Sequence, residues 1–216
     1  MLVSEIRQAG AEDIDFLIEA IIEAEKSGSE MISYCGIFGL SQAELIELMR
    51  KMLAEDLEGQ QLCISGFAIA CVDGEAVATC CSWIEGTYGI SSSIITGSLL
   101  GEYLPAANFK EGLSKNEIMK GIHIERTKGC LQIESVYTLA AFRGKGLIRK
   151  LIQHHALQAQ APAVEIILAQ TNENALAAYQ KMGFSLKHKV TGDEALLQFL
   201  PSNSRLQLTS PLHLLK

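Results

Sequence analysis

The sequence predicts an α/β fold, and three observations carry that expectation. Residues 134–151, ESVYTLAAFRGKGLIRKL, read as a strand, a glycine-punctuated turn and a helix. Two apolar runs at 67–72 and 75–83 flank Asp73-Gly74, a dipeptide suited to the φ > 0 positions of a type I′ hairpin turn. Apolar residues recur twice at helical spacing, as Ile14, Leu17, Ile18, Ile21 and Ile22, and as Leu45, Leu48, Met49, Met52 and Leu53. The chain of 216 residues fits one domain with insertions, or at most two small ones. Its 48% hydrophobic content supplies a sizeable core and argues against disorder.

Taken in order, residues 2–8 form a short first strand. A helix then starts near Asp13 and ends at Ser27-Gly28-Ser29. Residues 30–40 are apolar but aperiodic, with Gly36 and Gly39, and read as a covering loop. Ser41 and Glu44 have the spacing of a capping box and open the second helix. That helix turns Glu47, Arg50, Lys51, Glu55 and Glu58 to solvent. After the hairpin, Ser91-Ser92-Ser93 and several glycines predict loops over 84–129, with a second capping-box candidate at Ser114 and Glu117 opening a short helix. Long ordered loops serve as lids or binding elements, so this stretch and 30–40 are expected to shape a substrate pocket or a subunit interface. The last strands are expected at 164–169, 184–190 and 195–200, with Thr191-Gly192-Asp193 turning between the final two. Residues 201–204 break the pattern. The resulting division is a single domain over 1–200, with insertions at about 27–60 and 84–130, and a C-terminal tail at 201–216.

The stretch at 134–151 carries the chemistry. In its strand, Ile133, Ser135 and Tyr137 alternate with Glu134, Val136 and Thr138, and β-branched and aromatic types are dense. In Arg143-Gly144-Lys145-Gly146, two glycines one residue apart allow φ > 0 and the close approach of a ligand to the main chain. Leu147, Ile148, Leu151 and Ile152, then Ala156, give a helical face. A helix that begins at such a turn presents unpaired N–H groups and the positive end of its dipole, a site for a phosphate or pyrophosphate. Arg143, Lys145, Arg149 and Lys150 add positive charge there. The Rossmann pattern fails, because its third glycine falls on Arg149, and the Gly-Lys-Ser/Thr of a P-loop is absent.

A strand and the block from Thr171 to Phe184 follow, and with them the sequence resembles the GNAT superfamily of N-acetyltransferases. The acetyl-CoA signature Q/R-x-x-G-x-G/A is matched around Arg143, Gly144, Lys145, Gly146 and Leu147, with Ile148 in the last place. The asparagine, helix and Tyr-x-x-Gly-Phe block is matched by Asn172, Tyr179, Gly183 and Phe184. Two positions depart from the family pattern: Ile148 replaces a small residue, and Ala140 stands where proline is frequent. The resemblance implies a central, mixed, mostly antiparallel sheet flanked by helices. In it the hairpin at Asp73-Gly74 supplies the second and third strands, and 84–129 interrupts a connection that is often short.

The resemblance further implies an N-acetyltransferase in which a primary amine attacks the thioester of acetyl-CoA directly, in a ternary complex. The main chain around Val136, Tyr137 and Thr138 would pair with the pantetheine arm. The amides of Arg143, Gly144, Lys145, Gly146, Leu147 and Ile148 would surround the pyrophosphate. Asn172 would cap its helix and reach the cofactor. Tyr179 would bind the cofactor too and give a proton to the departing thiolate; an unperturbed tyrosine is protonated at neutral pH and can do so. Glu134, read as sharing a strand face with Val136 and Thr138, is the candidate general base, since a buried carboxylate gains basicity. The other reading of Glu134 is a structural ion pair. His123 and Glu85 are further candidates. Two rival functions stay open: a non-catalytic acyl-CoA sensor, and an acyltransferase using a longer acyl group. The acceptor is not specified.

A formal net charge of −7 disfavours nucleic-acid and anionic-membrane partners and fits a cationic substrate such as an amine. Six cysteines without a CxxC read as free thiols in a reducing compartment. His154 and His155 are adjacent and cannot share a helix face, so they read as packing residues and no metal site is expected. The N-terminus lacks a basic-then-apolar signal, and no apolar stretch approaches membrane-spanning length. A soluble, cytoplasmic protein is expected, with homodimerisation open.

Overall fold

Asp73 and Gly74 adopt φ of 53° and 85°, both in the left-handed region that a type I′ turn requires. They join β2 (Phe67–Val72) to β3 (Glu75–Ile84). The remaining strands are β1 (Glu5–Gln8), β4 (Leu131–Thr138), β5 (Ala163–Ala169), β6 (Ser185–Thr191) and β7 (Ser204–Pro211). In this computed structural model, which describes residues 5–26 and 29–215, they form one sheet in the order β1-β2-β3-β4-β5-β7-β6. Every neighbouring pair is antiparallel except β4–β5. The mixed, mostly antiparallel α/β sheet is thus the one expected.

Helices cover both faces. On one face lie α1 (Ile14–Lys26), α2 (Ser33–Phe38), α3 (Gln42–Ala54) and α4 (Ser92–Tyr103). Leu17, Ile21, Leu45, Met49 and Met52 from these stripes pack on Phe67, Ile69, Cys81 and Trp83. On the other face lie α7 (Leu147–Gln158) and α8 (Glu173–Lys181). There Leu147, Leu151, Ile152 and Ala156 pack on Ala70, Ala78, Cys80, Ile133 and Ile166. Each buried Leu or Ile contributes about 1.5–3 kcal/mol. The capping box of α3 is formed: the Ser41 hydroxyl accepts from Glu44 N–H, and the Glu44 carboxylate accepts from Ser41 N–H at 2.8 Å.

Four expectations need correction. The stretch 30–40 is not a loop throughout, because it contains α2, closed by Gly39 at φ 63°. The stretch 84–129 is mostly helical, holding α4, α5 (Ala106–Ser114) and α6 (Asn116–Lys120). Ser114 does not cap α6; it ends α5, and its hydroxyl donates to the Glu111 carbonyl. No strand runs over 195–200: residues Glu194–Gln198 make a 3-10 turn, and Leu196 and Leu200 pack with Ile122. The final strand is β7, inside the supposed tail and between β5 and β6, so the domain continues past residue 200. The expected helix end at Ser27-Gly28 and the start of the first strand lie outside the described residues. All six cysteines are free thiols. Among the described residues, no helix is long and apolar enough to cross a membrane, and no group of His, Cys, Asp and Glu could hold a metal ion.

His154 is half-buried, whereas His155 is buried under β3. Its Nε2 lies 3.2 Å from the Cys80 carbonyl, which can only accept, so Nε2 carries the proton. Nδ1 therefore accepts from the Ser82 hydroxyl at 2.8 Å. Burial drives the imidazole pKa from 6.5 down to about 4, with the Cys80 bond opposing and the charge of His154 assisting. Between these values the unfolded chain binds more protons than the folded one. Stability is therefore complete above pH 6.5 and falls as pH drops towards 4, by about 3 kcal/mol. Urea unfolding of wild type and His155→Gln across pH 4–8 checks this: the substituted protein should lose most of that slope.

Candidate functional site

The site begins where two strands stop pairing. β4 and β5 run parallel for only three residue pairs, Leu131↔Val164, Gln132↔Glu165 and Ile133↔Ile166. Glu165 anchors the joined part. Its buried carboxylate accepts from Lys187 Nζ at 2.5 Å, from Gln132 Nε2 and Gln207 Nε2 at 3.0 Å each, and from Thr127 N–H at 3.1 Å. Burial alone would raise its pKa, but these donors hold it below the ordinary carboxylate value. Beyond Ile133 the edge of β4 that faces β5 has no strand partner.

A bulge bends β4 at the same point. Ser135 has φ 51°, and the register with β3 slips between Thr79↔Tyr137 and Cys81↔Glu134. One extra residue reverses which face each later side chain takes. Glu134 and Tyr137 therefore share the α1 face, while Val136 packs with the α7 core. The expected common face of Glu134, Val136 and Thr138 is not found, because a bulge interrupts the period of two. Tyr137 points away from the open edge: its hydroxyl donates to Glu19 at 2.6 Å, and its ring lies 6.1 Å from Phe16.

The wedge between the parted strands is a groove of 340 Å³. Val136 and Ile148 line one stretch of it, and Asn172, Ala175, Ala178 and Tyr179 another. The mouth of α7 adjoins it. Gly144 and Gly146 have φ of 73° and 79°, and a Cβ on either would meet nothing within 4 Å. Among the described residues, the N–H groups of 144–149 donate to no turn or loop carbonyl, and α7 has no side-chain cap. A row of free donors therefore faces outward at the positive end of a helix. Ile148 forms part of the groove wall and packs with the core beneath α7; it does not fill the turn. Around the turn, Arg143 Nε donates to the Thr138 carbonyl at 3.2 Å, and Lys145 Nζ sits 4.7 Å from the Phe142 ring centre. Arg149 caps the end of α8 through the Lys181 carbonyl at 2.9 Å.

Asn172 is the N-cap of α8, accepting from Ala175 N–H at 3.3 Å. Tyr179 is buried against Phe184, edge to face at 5.8 Å, and desolvation keeps its phenol protonated well above neutral pH. Glu134 is ion-paired with Arg126, whose guanidinium lies 5.2 Å from the Trp83 ring centre. Burial lowers the Arg126 pKa to about 10, so it remains charged. Glu85 is buried and committed to Trp83 Nε1 and Ser92 N–H, both at 2.9 Å. His123 is exposed in the insertion and does not line the groove.

Glu23, Glu25, Ser33 and Arg205 line the groove and were not anticipated. Burial pushes the Glu25 carboxyl above its ordinary pKa, against the charge of Arg205 and a hydrogen bond from Ser33. Glu25 breaks the apolar spacing at the end of α1, a weak signal. Arg205 lies in the stretch read as a tail.

The family model described as "Acetyltransferase (GNAT) family" matches residues 38–184, more than half of the chain. No curated protein sequence matches. Among solved structures, an N-acetyltransferase from Staphylococcus aureus Mu50 is similar at 17% identity and a TM-score of 0.69, covering 95% of this chain and 100% of that one. A GNAT-family acetyltransferase from Streptococcus agalactiae 2603 is similar at 16% identity and 0.51, over 96% and 95%. An aminoglycoside acetyltransferase in complex with coenzyme A and kanamycin is similar at 16% identity and 0.53, over 98% and 96%. At these identities the likeness is one of fold.

The bulge geometry yields its own test. Ser135→Val puts a β-branched side chain at φ 51° and should destabilise the protein by about 1–3 kcal/mol, whereas Ser135→Gly should be neutral or mildly stabilising. Urea midpoints of the two variants, compared with wild type, check the difference.

Proposed function

Because the chain belongs to the GNAT acetyltransferase family, we propose that it transfers the acetyl group of acetyl-CoA to a primary amine, by direct attack in a ternary complex. The observation that carries this reading is the continuity of three features: the free amides at 144–149, the unpaired edge of β4, and Tyr179 in the groove between β4 and β5. The coenzyme A of the aminoglycoside acetyltransferase complex supports the same cofactor here.

In this reading the diphosphate sits against the amides of Gly144, Lys145, Gly146, Leu147 and Ile148, with Arg143 and Lys145 adding charge. The pantetheine arm extends the sheet along Val136, Tyr137 and Thr138, using the groups that β5 leaves unpaired. Asn172 bounds the groove from α8. The thioester then lies near Tyr179. The amine nitrogen bonds to the thioester carbon, the C–S bond breaks, and the sulfur takes the proton of the Tyr179 hydroxyl. The phenol is recharged from water. Donation suits a buried phenol, which burial keeps protonated.

Two carboxylates are proposed for the amine side, Glu134 and Glu25, and their environments divide the work. Glu134 is ion-paired with Arg126, which suits it to orient the ammonium form of the acceptor. Glu25 has its pKa raised by burial, which suits it to take the proton that the amine must lose. The ionised form of such a base is the active one, so kcat/KM should rise with pH through the raised pKa and then level off.

Calorimetry with acetyl-CoA, and release of free CoA thiol over a panel of amines, test the proposal; no binding, or binding without turnover of any amine, would refute it. Tyr179→Phe should lower kcat by a factor of about 10–10³ and leave acetyl-CoA affinity within about twofold. Glu25→Gln should lower kcat/KM by about 10²-fold and remove the rising limb of its pH profile, whereas Glu134→Gln should chiefly raise the acceptor KM.

A further inference from the structure

The groove does not end at Glu134. A second chamber of 180 Å³ adjoins it across Ile167 and Arg205. Ile167 and Arg205 line both cavities, so the two share a wall. The second chamber is roofed by the insertion, with Lys120 from the end of α6 and His123 from the segment that follows it.

The two cavities differ in charge. Glu23, Glu25 and Glu134 line the groove. The chamber has Lys120, His123, Arg126 and Arg205 on its wall and neither Asp nor Glu. Its two guanidinium groups are also under-used. Among the described residues, the Arg205 guanidinium makes no hydrogen bond and no ion-pair contact, although it is half-buried and feels the charge of Glu25. Arg126 binds Glu134 through one terminal nitrogen, but its buried Nε has no acceptor. A buried donor without an acceptor is destabilising, and so is a half-buried guanidinium without an ion pair. An oxyanion supplied by a ligand removes both penalties, and a guanidinium binds carboxylate or phosphate by paired N–H bonds.

We infer that the acceptor is a small zwitterion: a primary amine that carries an oxyanion, carboxylate or phosphate, which the Arg126–Arg205 chamber holds while Glu25 and Glu134 receive the amine. This rests on the transferase reading for the role of the amine, but the anion site itself does not. Charge placement sets the orientation. The oxyanion is repelled by the three groove carboxylates and enters the chamber, and the ammonium is repelled by the chamber and stays in the groove. The amine is thereby presented at the end of the groove that leads to Tyr179.

Trp83, the only tryptophan in the chain, packs under Arg126 and is a built-in reporter. The intact protein is titrated with γ-aminobutyrate, phosphoethanolamine, butylamine and ethanolamine, with and without CoA, and followed by Trp83 fluorescence and calorimetry. Each anionic amine should bind at least 10-fold more tightly than its neutral congener, and the tighter of the two names the oxyanion. Arg205→Gln should abolish that preference, Arg205→Lys should restore part of it, and Lys120→Gln, at the exposed rim, should weaken anion binding about two- to fivefold in a folded protein. Equal binding of neutral and anionic amines, or a preference that survives Arg205→Gln, would overturn the inference. Acetylation of the same four compounds separates it from the transferase reading. Turnover without anion preference removes the zwitterion and leaves the enzyme; anion-dependent binding without acetyl transfer removes the enzyme and leaves the site.

Discussion

The parting of β4 from β5 is the constraint on which the rest depends. A parallel pair that continued past Ile133 would close the sheet, satisfy every backbone group between the strands and leave no groove. Pairing is instead confined to three residues, with Glu165 at its centre. That carboxylate takes donors from Gln132 on β4, Gln207 on β7, Lys187 on β6 and the Thr127 main chain. A buried charge is tolerable only when such donors compensate its desolvation, so the four segments are tied to one point. Past that point Ser135 supplies the bend. A residue at φ 51° interrupts the ladder and increases the local twist, and β4 swings clear of β5. Anchor and bend act in sequence: the first limits where the strands may separate, the second makes them do so.

The bulge also decides what the groove can do. Without it, Glu134 and Tyr137 would face opposite sides of the sheet. With it, both face α1, so Tyr137 is taken up by Glu19 and Phe16, and Glu134 is turned towards Arg126 and the insertion. The side chains leave the edge of β4 exposed as main chain, which is the form in which a strand accepts an extended partner. One backbone irregularity thus produces an unpaired edge on one side and a carboxylate on the other.

Legibility followed the reach of the signals. Asp73-Gly74, the Ser41–Glu44 box and the glycines at 144 and 146 are local devices, and each does in the fold what its chemistry predicts. The same holds for Asn172 as a helix cap. The helices of the insertion were not legible, because α4 places Ile94 outward, Ile95, Leu99 and Leu100 inward, and glycines between them, so no one-sided stripe marks it. The final strand did carry a signal, with Leu206 and Leu208 alternating with Arg205, Gln207 and Thr209. The denser apolar run at 195–200 competed with it. That run is a 3-10 turn whose leucines close a small satellite core with Ile122. The bulge at Ser135 had no sequence mark at all, since serine is not a left-handed residue by preference, and it alone overturned the facing expected for Glu134.

The two halves of the site therefore have different origins. The half proposed for the cofactor is made of main chain, from amides at a glycine turn and an unpaired strand edge, and such features survive wide changes in side chains. The half proposed for the acceptor is made of side chains, Glu25 from α1, Ser33 from α2, Lys120 and Arg126 from the insertion, and Arg205 from β7. Those elements meet only because the insertion folds back over the α1 face and β7 is threaded between β5 and β6. A change in any of them alters charge on that face without disturbing the glycine turn or the edge of β4. In the proposed reading, selection among amines acts on α1, α2, the insertion and the last strand.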